Sequence, residues 1–197
     1  MLFIKHRVNQ PSDLETVDPK WGVEIDLRSD AAGLYLSHDP WTTGPRFEEW
    51  LECFKDLGIQ GPILLNTKED GLETRIETEL AKKGVENYFF LDTAVPTLIR
   101  HTIASGNRHF FVRLSQYEPD ACLAAFVEKV EWVWVDCFGG NPLPATLLQK
   151  WKNQFKFCLV SPELHGQPLE TIQRFGDLYR LADAVCTKQP SEWMKRF

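Results

Sequence analysis

Short apolar runs rich in Val, Ile, Phe and Trp recur at a steady interval along the chain. They do not alternate cleanly with polar residues, and this pattern is typical of strands buried on both faces of a parallel sheet. The candidate strands lie at 2–5, 23–27, 62–65, 88–91, 109–112, 132–135, 156–160 and 184–186. The pattern therefore predicts eight strands of a mainly parallel sheet.

Amphipathic helical segments lie between most of these runs. In 47–57, one stripe at helical spacing consists of Phe47, Trp50, Leu51, Phe54 and Leu57. Similar stripes predict helices at 72–83, 95–105, 120–130, 144–151 and 168–179. Strands alternating with helices favour a compact, single-domain (β/α)8 TIM barrel over residues 1–197, with a doubly wound open sheet as the alternative.

Composition narrows the class of protein. Hydrophobic residues make up 43% and charged residues 25% of the 197 residues, as in ordinary globular domains. A net charge of −6 argues against a nucleic-acid-binding surface, which needs a basic patch. No apolar run approaches the roughly 20 residues of a membrane span, so we expect no integral membrane association. The five scattered cysteines form no Cys-x-x-Cys pair and predict buried thiols in a cytoplasmic protein.

Polar residues follow most of the predicted strands. His6 and Arg7 come after the first strand, Asn66 and Lys68 after the third, and His165 shortly after the seventh. Other strands lead into Asp92, Arg113, Asp136 and Glu163. Because barrel enzymes build their sites at the carboxyl ends of the strands, we expect these groups to form one site, with His165 as an accessory group.

The segment Glu24-Ile25-Asp26 is the sharpest local feature of the sequence. Its two carboxylates lie two residues apart and therefore on the same face of an apolar strand. They repel each other unless a proton or a cation lies between them, and Mg²⁺ or Ca²⁺ takes oxygen ligands of this kind. The alternative is a set of buried ion pairs with Arg7, Arg28 or Lys68, and the carboxylate pair by itself leaves both interpretations open.

Three segments resemble the opening of a known family. They are Phe-Ile-Lys-His-Arg at 3–7, Gly-Val-Glu-Ile-Asp-Leu at 22–27 and Leu-Tyr-Leu-Ser-His-Asp at 34–39. This order resembles the glycerophosphodiester phosphodiesterases, which belong to the superfamily of phosphatidylinositol-specific phospholipase C. Asn-Thr-Lys at 66–68 is similar to the family's Glu-x-Lys, and 184–190 is similar to its last strand.

The resemblance implies a metal-assisted hydrolase acting on a glycerophosphodiester or a similar small phosphodiester or phospholipid head group. In this family the attacking hydroxyl can belong to the substrate itself, which gives a cyclic phosphate first. The implied assignments are His6 and His38 as the acid–base pair, Arg7 and Lys68 as phosphate contacts, and Glu24, Asp26 and Asn66 as ligands of Mg²⁺ or Ca²⁺.

The chain departs from the family pattern at three places. Asn66 replaces a carboxylate ligand, which lowers the negative charge available to a hard cation. Val8 replaces a glycine, and the family's Pro-Glu-Asn-Thr element is at best echoed at 14–16. Two alternatives therefore stay open: a non-catalytic or altered-chemistry relative that binds a phosphorylated ligand, and a barrel lyase or aldolase using Lys68 as a Schiff base.

Overall fold

The computed structural model describes residues 1–197 and contains eight parallel strands rolled into a barrel. A ninth strand, β3, pairs antiparallel with β2 as a hairpin arm. In chain order the strands are β1 (Leu2–Lys5), β2 (Gly22–Asp30), β3 (Gly33–Leu36), β4 (Ile63–Thr67), β5 (Tyr88–Leu91), β6 (Phe111–Ser115), β7 (Trp132–Asp136), β8 (Lys156–Val160) and β9 (Ala184–Thr187). They pair in the order β5-β4-β2-β1-β9-β8-β7-β6.

The two ends of this sheet meet and nearly close the barrel. β5 and β6 are joined by a single parallel bridge between Phe90 and Phe110, and the Phe90 backbone N–H donates to His109 O at 2.8 Å. Asp92 directly after β5 has a φ of 57°, and no further β-bridge joins β5 to β6. The predicted (β/α)8 barrel is therefore confirmed, and the open-sheet alternative is wrong because the outer strands pair with each other. We call the gap beyond the Phe90–Phe110 bridge the seam.

Helices surround the barrel and bury one face each against it. The α-helices are α1 (Pro11–Leu14), α2 (Phe47–Asp56), α3 (Glu73–Lys82), α4 (Val95–Ile99), α5 (Ala145–Trp151), α6 (Gly176–Tyr179) and α7 (Pro190–Arg196). α4 continues into a π-helical turn at Arg100–Ala104. No helix is long and apolar enough to cross a membrane.

Two predicted helices are wrong in type. The segments Asp120–Phe126 and Leu169–Phe175 are 3₁₀ helices, and only α6 within 168–179 is α-helical. In the first, Leu123 and Phe126 are the buried residues, and in the second Ile172 and Phe175 are fully buried. A spacing of three residues matches the 3.0 residues per turn of a 3₁₀ helix, so this geometry points both apolar side chains at the barrel.

The core has two layers, inside the barrel and between the barrel and its helices. The larger cluster fills the outer layer. The inner cluster consists of Ile4, Leu64, Leu91, Phe111, Trp132, Trp134, Cys158, Val160, Ala184 and Cys186. Closer to the carboxyl ends of the strands, the residues that face the inside of the barrel are polar. The inner cluster therefore closes the barrel beneath a polar opening, which we call the mouth.

Three of the five cysteines have the buried thiols that the sequence predicts. Cys137, Cys158 and Cys186 are buried, whereas Cys53 is partly exposed and Cys122 is exposed. Burial raises the pKa of the Cys137 thiol to about 11. All five cysteines are free, so the prediction of buried thiols is wrong for Cys122, which lies on the 3₁₀ helix at Asp120–Phe126.

Candidate active site

The carboxylates of Glu24 and Asp26 lie at the mouth of the barrel on the inner face of β2. Their exposed fractions are 0% and 1%. β2 begins at Gly22, where a Cβ atom would lie 2.6 Å from Ile4 Cδ1 and 2.7 Å from the Pro62 carbonyl oxygen. The glycine therefore lets β1, β2 and β4 pack closely enough to bring their polar ends together.

Glu24 is surrounded by neutral donors. The Arg7 backbone N–H donates to Oε2 at 2.8 Å, and the Asn66 side-chain N–H donates to Oε1 at 3.1 Å. His6 Nε2 lies 3.6 Å from Oε2. Burial, followed by the charge of Asp26, raises the pKa of Glu24 to about 7. The site consequently favours a proton or a cation next to this carboxylate near neutral pH.

Asp26 is paired with cations. Lys68 Nζ lies 2.9 Å from Oδ1, and Arg7 Nε lies 3.6 Å from Oδ2. Two of the three ion-pair partners considered from the sequence are therefore present. The third, Arg28, instead contacts Glu69 at 3.6 Å and donates to the His38 carbonyl oxygen at 3.0 Å.

Asn9 is a site residue that the sequence reasoning missed. Its side-chain N–H donates to Asp26 Oδ2 at 2.8 Å, and its Oδ1 accepts the Asp26 backbone N–H at 2.9 Å. The weak echo of the family element at 14–16 contributes no polar side chain to the site, since Glu15 and Thr16 are exposed on the surface. An asparagine directly after Val8, just beyond the first predicted strand, was the signal available in the sequence.

His6 lies inside the mouth with little access to solvent. Its Nδ1 is buried and has no hydrogen-bond partner. Burial, followed by the charge of Arg7, lowers the pKa of His6 to about 3. The imidazole is therefore neutral at physiological pH and can accept a proton.

His38 is placed at the rim by the β2–β3 hairpin. The Ser37 backbone N–H donates to the Asp26 carbonyl oxygen at 3.0 Å, so His38 lies immediately beyond the carboxylate pair. Its Nδ1 is 2.7 Å from Asp39 Oδ1, and its side chain is 41% exposed. This hydrogen bond is the main reason that the pKa of Asp39 is lowered, with smaller contributions from Arg7 and Arg28. Asp39 thus orients the ring.

A second polar cluster faces the first across the mouth. His165 Nε2 lies 2.5 Å from Asp136 Oδ1, and Arg113 NH1 lies 3.8 Å from Asp136 Oδ2. Arg113 also pairs with Asp92 and lies 3.9 Å from Glu118. His165 is therefore at the expected end of the barrel. Glu163, in contrast, accepts hydrogen bonds from the Thr187 hydroxyl and the Lys188 backbone, which ties β9 to the loop after β8.

The expected metal ligands Glu24, Asp26 and Asn66 lie together. Asp26 and Asn66 are neighbours in the parallel register of β2 and β4. Asn66 Oδ1 is buried without a hydrogen-bond partner, and a cation would satisfy it. No group of three or more His, Cys, Asp or Glu side chains is arranged to hold a metal ion, so a site here needs the carboxamide oxygen. Two carboxylates and one orphaned amide oxygen are hard oxygen donors of the kind that Mg²⁺ or Ca²⁺ takes, and a cation there would displace Lys68 from Asp26 and the Asn66 N–H from Glu24.

Three solved structures of phosphodiesterases have folds similar to that of this chain. A candidate glycerophosphodiester phosphodiesterase from Galdieria sulphuraria superposes with a TM-score of 0.76 at 14% identity, covering 98% of this chain and 96% of that one. A phosphodiesterase from Oleispira antarctica, in complex with its product sn-glycerol-3-phosphate, gives 0.71 at 15% identity and coverages of 100% and 96%. A glycerophosphoryl diester phosphodiesterase from Parabacteroides distasonis gives 0.66 at 12% identity and coverages of 99% and 85%.

No protein-family model and no curated protein matches the sequence. The likeness therefore concerns the fold: this chain has the barrel of glycerophosphodiester phosphodiesterases over nearly its whole length. The resemblance stated from residues 3–39 is confirmed at that level.

Proposed function

We propose that this chain hydrolyses a small phosphodiester, with a glycerophosphodiester as the substrate class. The observation that carries the proposal is His6 next to the buried Glu24–Asp26 pair, at the carboxyl end of a barrel whose structural neighbours are phosphodiesterases. The neighbour that holds sn-glycerol-3-phosphate supports a glycerol phosphate moiety as part of the substrate.

Cationic groups at the mouth would bind the phosphate. Arg7 and Lys68 both lie against Asp26 with exposed side-chain fractions of 38% and 18%, so each ammonium or guanidinium group can also reach a ligand. Glu24, Asp26 and Asn66 would hold a divalent cation. When bound, Mg²⁺ or Ca²⁺ supplies positive charge that neutralises the phosphate oxygens as negative charge develops.

Proton transfer is divided between the two histidines. Neutral His6 takes the proton of the attacking hydroxyl, whose oxygen forms a new bond to phosphorus. The bond between phosphorus and the leaving oxygen breaks, and His38 donates a proton to that oxygen. If the attacker is a neighbouring hydroxyl of the substrate, water then opens the cyclic phosphate, and the two histidines exchange roles. The neutral form of His6, its place 3.6 Å from Glu24 and the Asp39 partner of His38 support this division.

The Lys68–Asp26 ion pair favours a second candidate, a relative that binds a phosphorylated ligand without turnover. This ion pair already neutralises Asp26, as a metal would. Because Lys68 forms this ion pair, its ammonium group is not free to act as a Schiff-base nucleophile. No contact in the site favours the lyase or aldolase alternative.

Turnover of sn-glycero-3-phosphocholine tests the proposal. We expect release of choline and glycerol phosphate in the presence of Mg²⁺ or Ca²⁺, and its loss when EDTA removes the metal. Binding of glycerol 3-phosphate in calorimetry, with no product from the diester under any metal condition, would instead support the second candidate.

Asn66→Glu is expected to tighten metal binding. The variant adds a negative oxygen at a position next to Glu24, and ligand charge is a main determinant of affinity for a hard cation, so we expect roughly tenfold or more. Calorimetric titration with Mg²⁺ and Ca²⁺ measures the change, and Asn153→Glu, which adds the same charge at an exposed position, serves as the control. Equal affinity in the two variants would show that β4 does not contribute to the metal site.

A further inference from the structure

An apolar cleft of about 750 Å³ opens in the seam between β5 and β6. Its walls come from both layers of the core. The inner wall is formed by Leu91, Phe111 and Trp134, and the outer wall by Leu98, Val112 and Phe126. The cleft exists because β5 and β6 pair at one bridge and then diverge.

The rim of the cleft exposes large apolar side chains. Val95, Ile99 and Ile103 are spaced four residues apart along α4 and the π-helical turn, with exposed fractions of 62%, 44% and 46%. Tyr117, on the opposite side, is 81% exposed. Exposed apolar side chains on two sides of an apolar cleft mark a binding site more often than a chance surface.

The cleft lies beside the candidate active site, and Arg113 in its lining is 3.8 Å from Asp136 at the mouth of the barrel. Leu91 on its inner wall is the register neighbour of Asn66 on β4, and Asn66 donates to Glu24 at 3.1 Å. The cleft therefore begins one strand away from the residues that would hold the phosphate. A molecule with its phosphodiester at Glu24 would pass the Arg113–Asp92 ion pair to place its chain in the seam.

The charges around the cleft are already paired. Arg113 forms an ion pair with Asp92 and lies near Glu118, and these three are the charged residues that line it. An anionic group or a polar peptide would gain no free partner there. An aliphatic chain needs none, and the volume lies in the range of about 300–1,000 Å³ that holds one small ligand.

We propose that the seam cleft binds the aliphatic chain of a single-chain amphiphile whose phosphodiester lies at the Glu24–Asp26 site. This inference rests on the proposed function and specifies its substrate as a monoacyl, lysophospholipid-like phosphodiester. The reaction is the same as for a glycerophosphodiester. The P–O bond to the head group breaks, a P–O bond to the attacking oxygen forms, and the head group leaves with a proton.

A chain-length series tests this assignment. We compare sn-glycero-3-phosphocholine with 1-acyl-glycerophosphocholines of six to twelve carbons, all kept below their critical micelle concentrations. Burial of each methylene is expected to raise kcat/KM by up to about fourfold until the cleft is filled. A flat series, or a rise that appears only above the micelle concentration, would overturn the proposal.

Rim variants locate the effect. Ile99→Asp and Ile103→Asp each put a charge at the rim and are expected to abolish the dependence on chain length while leaving turnover of sn-glycero-3-phosphocholine unchanged. Leu57→Asp is the matched control, since Leu57 is an exposed leucine at 42% at the end of α2, away from the cleft. If the control and the rim variants keep the same slope, the cleft is not the chain site.

Binding separates a failure of this inference from a failure of the proposed function. Dodecylphosphocholine, titrated at submicellar concentration, is expected to bind the wild-type protein and to bind Ile99→Asp at least tenfold more weakly. Turnover of sn-glycero-3-phosphocholine without this difference overturns the cleft assignment alone. The binding difference without any turnover overturns the hydrolase and leaves the chain site standing.

Discussion

Replacing His6 or His38 with alanine is expected to lower kcat for a glycerophosphodiester by about 10²–10⁴-fold, the usual contribution of a general acid or base. His6 lies 3.6 Å from Glu24 with an unpartnered Nδ1, and His38 is oriented by Asp39 at 2.7 Å. Neither ring contributes to the apolar core. Steady-state kinetics and thermal melting of each variant separate loss of chemistry from loss of fold.

His109→Ala is the matched control for both variants. His109 precedes β6 at the other end of the barrel, where its ring stacks on Tyr88 at 4.5 Å. Its removal is expected to leave kcat unchanged. A wild-type rate in either His6→Ala or His38→Ala would exclude that histidine as acid or base.

The second large effect is expected at Glu24 in metal-free protein. The pKa of its carboxyl is about 7 in the folded chain, against an ordinary value of 4.5. Between these two pH values the unfolded chain has released the proton while the folded chain retains it. The contribution of Glu24 to the free energy of unfolding therefore falls as pH rises through this window, by up to about 3 kcal/mol. The lowered pKa of His6 contributes in the opposite direction below pH 6.5, so the fall is measured as the difference between the wild-type protein and Glu24→Gln. Denaturant unfolding in EDTA at pH 4.5 to 8 measures the fall.

Glu24→Gln is expected to remove that fall, since the amide stays neutral at every pH. Millimolar Mg²⁺ or Ca²⁺ is expected to raise the melting temperature of the wild-type protein at pH 8, because a ligand of the folded form alone stabilises it. The same metal should leave Glu24→Gln unshifted, while the surface variant Glu86→Gln behaves as wild type. Identical metal responses in all three proteins would refute the metal assignment.

Much of the fold follows from local patterns. Each apolar run is a strand in the structure, with bounds within a few residues, because a strand buried on both faces is mostly apolar. The helix at 47–57 is also recovered as α2, since its apolar stripe fits one buried face. The helices at 120–130 and 168–179 were wrong in type because an apolar spacing of three suits a 3₁₀ helix as well as an α-helix.

The sequence by itself determined that Glu24 and Asp26 share a face, because side chains alternate along any strand. It also determined that polar groups end the strands. Only the tertiary structure decided which of them meet: Asn66 reaches Glu24 across 42 residues, and Asn9 and Lys68 converge on Asp26. The seam is likewise a tertiary feature, set by how far β5 and β6 pair. Periodicity specifies the direction of a side chain within its own strand, whereas distances between strands depend on register and closure, which no local pattern encodes.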